Sequence, residues 1–107
     1  MNPRITALEK LLNTPRDGAL LRFSLGNEYL KAEMNTEASE HFAQAVRMDP
    51  NYSAAWKVLG RALQHQGKTD EAIHAYQQGI TVAEAKGDVQ AVKEMTVFLK
   101  RLQNPKP

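Results

Sequence analysis

Apolar residues recur along this chain at helical spacing, in blocks parted by short joints of glycine, proline, aspartate and asparagine. Ile5, Leu8, Leu11 and Leu12 form one stripe behind Asn2-Pro3, an N-cap followed by a first-turn proline, so a leading helix is predicted over residues 3–13. Asp17 is positioned to cap a second helix running to about Glu33. Asn35 or Thr36 caps a third, which ends before Asp49-Pro50 because the residue ahead of a proline disfavours the helical region. A fourth helix spans about Ser53 to Gln66 and stops at Gly67. Thr69 caps the fifth, which can run past Glu84 to Gly87 because no proline interrupts it. Asp88 then caps a last helix to Gln103. Val89, Val92, Met95 or Thr96, Leu99 and Leu102 share its inner stripe, and Lys93, Glu94, Lys100 and Arg101 are left for water. The tail over residues 104–107 has two prolines and no apolar side chain, so it is expected to fray. Every element so predicted is a helix, so the expected class is all-α.

Sliding the chain against itself gives one productive offset. Leu25-Gly26 recurs as Leu59-Gly60, Glu37-Ala38 as Glu71-Ala72, Phe42 as Tyr76 and Val46 as Ile80, each pair 34 residues apart. That period is one helix-turn-helix unit. The matched residues also sort by size, with small side chains where backbones must approach and bulky ones between them.

These residues carry a resemblance to the tetratricopeptide repeat family. The first unit, residues 19–52, has Leu25-Gly26, Tyr29, Ala38, Phe42, Ala45 and Pro50 at the family's spacings. The second, residues 53–86, has Trp56, Leu59-Gly60, Leu63, Gly67, Ala72 and Tyr76. Arg22 departs from the pattern by standing where a large apolar residue is usual, Gly79 replaces a late alanine, and Glu84 replaces the closing proline. The resemblance implies an α-α superhelix of two hairpins, with the leading helix and a capping helix over residues 88–103 covering the apolar ends of the stack. It also implies that Trp56, Tyr29, Phe42 and Tyr76 are packing residues rather than ligand contacts.

The family's first helices line a concave surface, which implies a binding groove. By that analogy the lining residues are Leu20, Phe23, Asn27, Leu30 and Lys31 from the first unit and Ala54, Lys57, Arg61, Gln64 and His65 from the second. Lys57 and Arg61 lie four residues apart on one helical face and, with Asn27, can hold a carboxylate; Phe23 and Leu30 can seat an apolar neighbour. The family's chaperone-tail binders use a fuller set of Lys, Asn and Arg. Here Phe23 and Val58 stand where that set has a Lys and an Asn, so a chaperone tail is not the expected ligand. The expected partner is a protein or peptide with an acidic group.

Composition narrows the alternatives. With 107 residues the chain makes one domain, and a formal charge of +2 is too small for a general polyanion binder, so nucleic acid is not the expected partner. Cysteine is absent, which excludes disulfides and thiolate chemistry and fits a reducing, cytoplasmic setting. Residues 1–14 carry Arg4, Glu9 and Lys10 without an unbroken apolar run, so neither a signal peptide nor a membrane anchor is expected. His41, His65 and His74 fall on different helices and form no metal triplet, and no catalytic motif is present. A non-enzyme without cofactor or metal is expected, as a monomer or weak homodimer. The rival to peptide capture is a structural subunit that associates through the ends of its stack.

Overall fold

The helix starts and stops have local causes, and several differ from those read off the sequence. The computed structural model describes residues 2–105. Its elements are α1 (Pro3–Glu9), α2 (Ala19–Lys31), α3 (Asn35–Met48), α4 (Ser53–His65), α5 (Thr69–Lys86) and α6 (Val89–Gln103), with no strand among the described residues. Asn2 caps α1 by accepting from the N–H groups of Arg4 and Ile5 at 2.9 and 3.3 Å. The helix stops at Glu9 rather than Asn13. Leu11 and Leu12 donate instead to Leu8 and Glu9 in tight three-residue turns, and Asn13 takes a left-handed φ of 61°. Its N–H then donates to the carboxylate of Asp17 at 3.0 Å. Asp17 is therefore not the cap of α2; Gly18 holds that position, and no side chain caps the helix.

The expected caps Asn35 and Thr69 are instead the first residues of α3 and α5, behind Met34 and Lys68. The turns before them repeat one geometry. The Met34 N–H donates to the Tyr29 carbonyl at 2.9 Å, the Lys68 N–H to Leu63 at 3.0 Å, and the Asp88 N–H to Ala83 at 2.9 Å. Each is the long bond of a Schellman turn, which needs a left-handed residue just before it. Gly67 and Gly87 fill that place at φ 74° and 72°, but in the first hairpin it falls to Glu33 at φ 60°. A side chain there is strained, so Glu33→Gly is expected to raise unfolding free energy by about 1 kcal/mol. The check is the midpoint of urea denaturation, and the reverse exchange Gly67→Glu is expected to lower it by a similar amount.

The hairpins α2–α3 and α4–α5 use the same interlock. A methyl group on Gly26 would collide with the ring of Phe42, and one on Gly60 would meet the Tyr76 ring at 2.6 Å. Phe42 and Tyr76 are fully buried in the notches so formed. Gly79 makes a third notch, filled by the buried Met95 of α6 and by the base of Trp56. Because Glu84 is not a proline, α5 continues to Lys86 and Gly87 closes it, after which Asp88 caps α6 by accepting from the Ala91 N–H at 3.1 Å. Ile5 of α1 is buried against the opposite end of the core. The Gln66 side chain latches the two hairpins by donating to the Ser39 hydroxyl at 2.8 Å and the Asn35 carbonyl at 3.1 Å.

The stacking is asymmetric. Cα atoms of α2 and α4, and of α4 and α6, approach within 8 Å, whereas none of α3 comes that close to α5. The first helices thus form one close-packed layer, and the second helices splay apart on the other side, giving a slab of 42 × 32 × 19 Å. Of the tail expected to fray, Lys106 and Pro107 lie outside the described residues, and Asn104 still donates its N–H to Lys100 at 2.9 Å.

Candidate functional site

Helix α4 lies at the centre of the stack and presents chemically different faces. Arg61 follows Lys57 by one turn on α4, and Gln64 and His65 follow Arg61 by one turn more, on a helix packed in one layer between α2 and α6. From α2 the same layer receives Phe23, Asn27, Leu30 and Lys31, with Leu20 largely exposed at its edge. Of the expected groove residues, only Ala54 and Lys57 border a common pocket among the described residues, and several of the set already have partners. Lys57 is paired with Glu94 of α6 at 3.6 Å, so the cation expected to meet a partner's acid meets one from its own chain. A pocket of about 190 Å³ lies beside that pair, with Ala54, Asp88 and Ala91 also in its lining, so α4 and α6 both border it.

Other expected groove residues are also engaged. Phe23 stacks at a tilt on Tyr52 and Phe42, with centroids 4.9 and 6.1 Å apart, which makes it part of the joint between the hairpins. Gln64 accepts the Tyr76 hydroxyl at 3.1 Å; burial pushes the pKa of that phenol up to about 12, so it remains a donor throughout the physiological range. Lys31 shares the Glu28 carboxylate with Arg4, at 3.5 and 3.8 Å. Leu30 is half-buried against the core and Asn27 is half-buried. Arg61 and His65 are exposed, and neither makes an ion pair among the described residues.

A second concavity, which the sequence reading did not anticipate, opens where α3 and α5 diverge. It encloses about 470 Å³ over a floor of Ala43, Trp56, Leu59, Leu63 and Ala75, with Glu40, Lys68, Asp70, Glu71 and His74 around it. Trp56 is thus only partly a packing residue. Its indole N–H donates to the Pro50 carbonyl at 2.8 Å, which fixes the ring, and the side chain lines the opening. The available signal was the 34-residue offset itself, which pairs Trp56 with the aberrant Arg22.

In the first hairpin the corresponding ground carries paired polar groups instead of an apolar floor, beside a pocket of about 360 Å³ lined by Arg22, Glu40, His41, Ala43, Gln44 and Arg47. Arg22 forms a two-pronged ion pair with Asp17 at 3.0 and 2.9 Å, and the Tyr29 hydroxyl donates to Glu9 at 2.7 Å. His41 stacks on Tyr29, with ring centroids 5.5 Å apart. The hydrogen bonds from Arg22, foremost, and from the Asn13 N–H hold the Asp17 pKa at about 2, below its ordinary 3.8. A depressed folded value means that this contribution is complete above pH 3.8 and lost as pH falls toward 2. Burial, reinforced by the Arg22 charge, also lowers His41 below 6.5, so the unfolded chain gains that proton first and stability declines once pH drops under 6.5. Urea midpoints measured against pH are expected to show both declines, with His41→Phe removing the upper and Asp17→Asn the lower.

Among the described residues no group of three or more His, Cys, Asp or Glu side chains can hold a metal, and no helix is long and apolar enough to cross a membrane. Against known proteins, residues 23–89 match the tetratricopeptide repeat family. A TPR repeat-containing protein of Pseudomonas aeruginosa is 50% identical over 98 residues, 92% of this chain and 93% of that protein. This chain belongs to the tetratricopeptide repeat family. Among solved structures, a Bordetella parapertussis protein is 43% identical with a TM-score of 0.80, covering 96% of this chain and 90% of that one. A tetratricopeptide repeat domain protein from Salinibacter ruber is 29% identical with a TM-score of 0.77, covering 88% and 94%. A yeast relative, an anaphase-promoting complex subunit of Saccharomyces cerevisiae, is 27% identical over 67 residues, 63% of this chain but 8% of that subunit. These solved structures share the all-helical tetratricopeptide repeat fold seen here. Tetratricopeptide repeats mediate protein–protein interaction or assembly and are typically non-enzymatic scaffolds.

Proposed function

We propose that this chain is a protein-docking module without catalytic activity, whose concave layer of α2, α4 and α6 receives an acidic segment of a partner. The observation that carries the reading is the state of the two cations on α4. Lys57 has drawn in the Glu94 carboxylate of the chain itself, while Arg61, one turn on, is exposed without an ionic partner among the described residues. A carboxylate is therefore the ligand this face accepts, and Arg61 is free to bind it through two parallel hydrogen bonds. Asn27 and Gln64 add neutral hydrogen-bonding groups, and Leu30 and Leu20 supply apolar contact. The absence of cysteine fits a cytoplasmic setting for this partnership.

Short acidic peptides test it by calorimetry. Lys57→Ala combined with Arg61→Ala is expected to weaken binding at least about tenfold, with helical signal and melting unchanged. Glu94→Gln removes the internal competitor and is expected to strengthen binding by up to about fivefold, the worth of an exposed ion pair. Affinities unaltered in both variants would remove this face from the reading.

A second reading, a structural subunit joined through the end of the stack, is favoured by α6. Val89 and Val97 are 62% and 46% exposed there, and Ala83, Val89 and Val92 border an apolar pocket of about 390 Å³. The yeast relative is itself a subunit of a complex. Sedimentation over a range of concentrations separates the readings, since a dimer that covers Val89 and Val97 supports the second.

A further inference from the structure

We propose that the cleft between α3 and α5 is a second docking site, which takes a basic amphipathic segment of a partner protein. Such a segment inserts a bulky apolar side chain against Trp56, Leu59 and Leu63 and sets lysine or arginine against Glu40, Asp70 and Glu71. The volume of about 470 Å³ is of the size that seats a bound group, and the floor is apolar. Water standing over those side chains is released on docking, which supplies the non-specific part of the affinity.

The occupant's charge follows from the rim. Glu40, Asp70 and Glu71 are exposed, and none forms an ion pair among the described residues; Lys68 is the single Lys or Arg lining the cleft. Unneutralised carboxylates around an apolar floor favour a cationic guest and repel an acidic one. The fixed indole of Trp56 offers a ring face to the same cations. On the concave layer Lys31 and Lys57 are already paired with Glu28 and Glu94, and the exposed Arg61 is a cation without an ionic partner among the described residues, so that layer does not share the acidic rim of this cleft.

Comparison of the hairpins strengthens the assignment. Where Trp56 stands in the second hairpin, the first has Arg22 held by Asp17; where Leu63 stands, the first has Tyr29 bonded to Glu9. The first hairpin thus pairs Arg22 and Tyr29 within its own chain on this side, although the buried Nδ1 of His41 has no hydrogen-bond partner. The second leaves an apolar surface ringed by acids, with no element of the described chain laid across it.

Trp56 is the single tryptophan of the chain, so its emission reports this cleft. The probe is a short amphipathic Lys/Leu peptide lacking tryptophan, compared with a Glu/Leu peptide of the same pattern. The Lys/Leu peptide is expected to shift the emission to the blue saturably, and the Glu/Leu peptide to leave it unchanged. Glu40→Lys with Glu71→Lys, both on exposed sites, is expected to weaken the Lys/Leu peptide about tenfold with circular dichroism unaltered. Lys57→Ala with Arg61→Ala is expected to keep full binding, which separates this site from the groove. Equal response to both peptides, indifference to the rim reversals, or loss in the groove variant overturns the proposal. So does a dimer that masks Trp56 without peptide, which assigns the cleft to a second copy.

Discussion

Tyr76→Ala is expected to cost about 4 kcal/mol of unfolding free energy, in the range measured for deleting a buried aromatic ring. The ring is fully buried, it fills the notch above Gly60, and Phe98 of α6 lies against it with centroids 5.6 Å apart. Its hydroxyl also donates to Gln64, so alanine removes both the packing and the polar link from α5 to the groove helix. A domain of this size is stable by about 5–15 kcal/mol, so the change consumes a large part of the margin. Urea denaturation at unchanged slope is the measurement. A loss under about 1 kcal/mol would mean that α4, α5 and α6 are not locked through this residue.

Gly60→Val is expected to cost about 3 kcal/mol for the reciprocal reason. Even the first carbon of a side chain would lie 2.6 Å from the Tyr76 ring, and both partners belong to helix interiors that cannot retreat independently. Gly18→Ala serves as the control, because nothing lies within 4 Å of the added carbon and its φ of 175° is ordinary extended backbone. Combining Gly60→Ala with Tyr76→Leu is expected to recover part of the loss, since the shorter side chain makes room. If the valine variant were as stable as the control, the close approach of α4 and α5 would be wrong.

The fold could be read from the chain because the repeat pairs residues by size. Gly26 with Phe42 and Gly60 with Tyr76 are the same contact twice, visible as a 34-residue offset before any coordinates. Capping was less readable. Asp17, Asn35 and Thr69 are good cap residues by type, yet Asp17 is drawn away by Arg22 and the other two are displaced by one position by Schellman turns whose bonds depend on the whole loop. Which of the expected groove residues are already paired within the chain was not readable. That Glu94 reaches Lys57 follows from how α6 settles into the Gly79 notch through Met95, a tertiary fact that no local pattern contains. The outer cleft stayed hidden for a related reason, since Leu59 and Leu63 are core residues and only the divergence of α3 and α5 leaves their edges and the half-buried Trp56 lining an opening.

Backbone amide shifts of the labelled chain, followed during titration with a short acidic peptide, test the central claim most directly. Saturable changes are expected along α2 and α4 at Asn27, Lys57, Arg61 and Gln64, extending to Glu94 as its pairing is exchanged, and abolished by Arg61→Ala. Changes confined to α3 and α5, or a pattern untouched by that substitution, would contradict it.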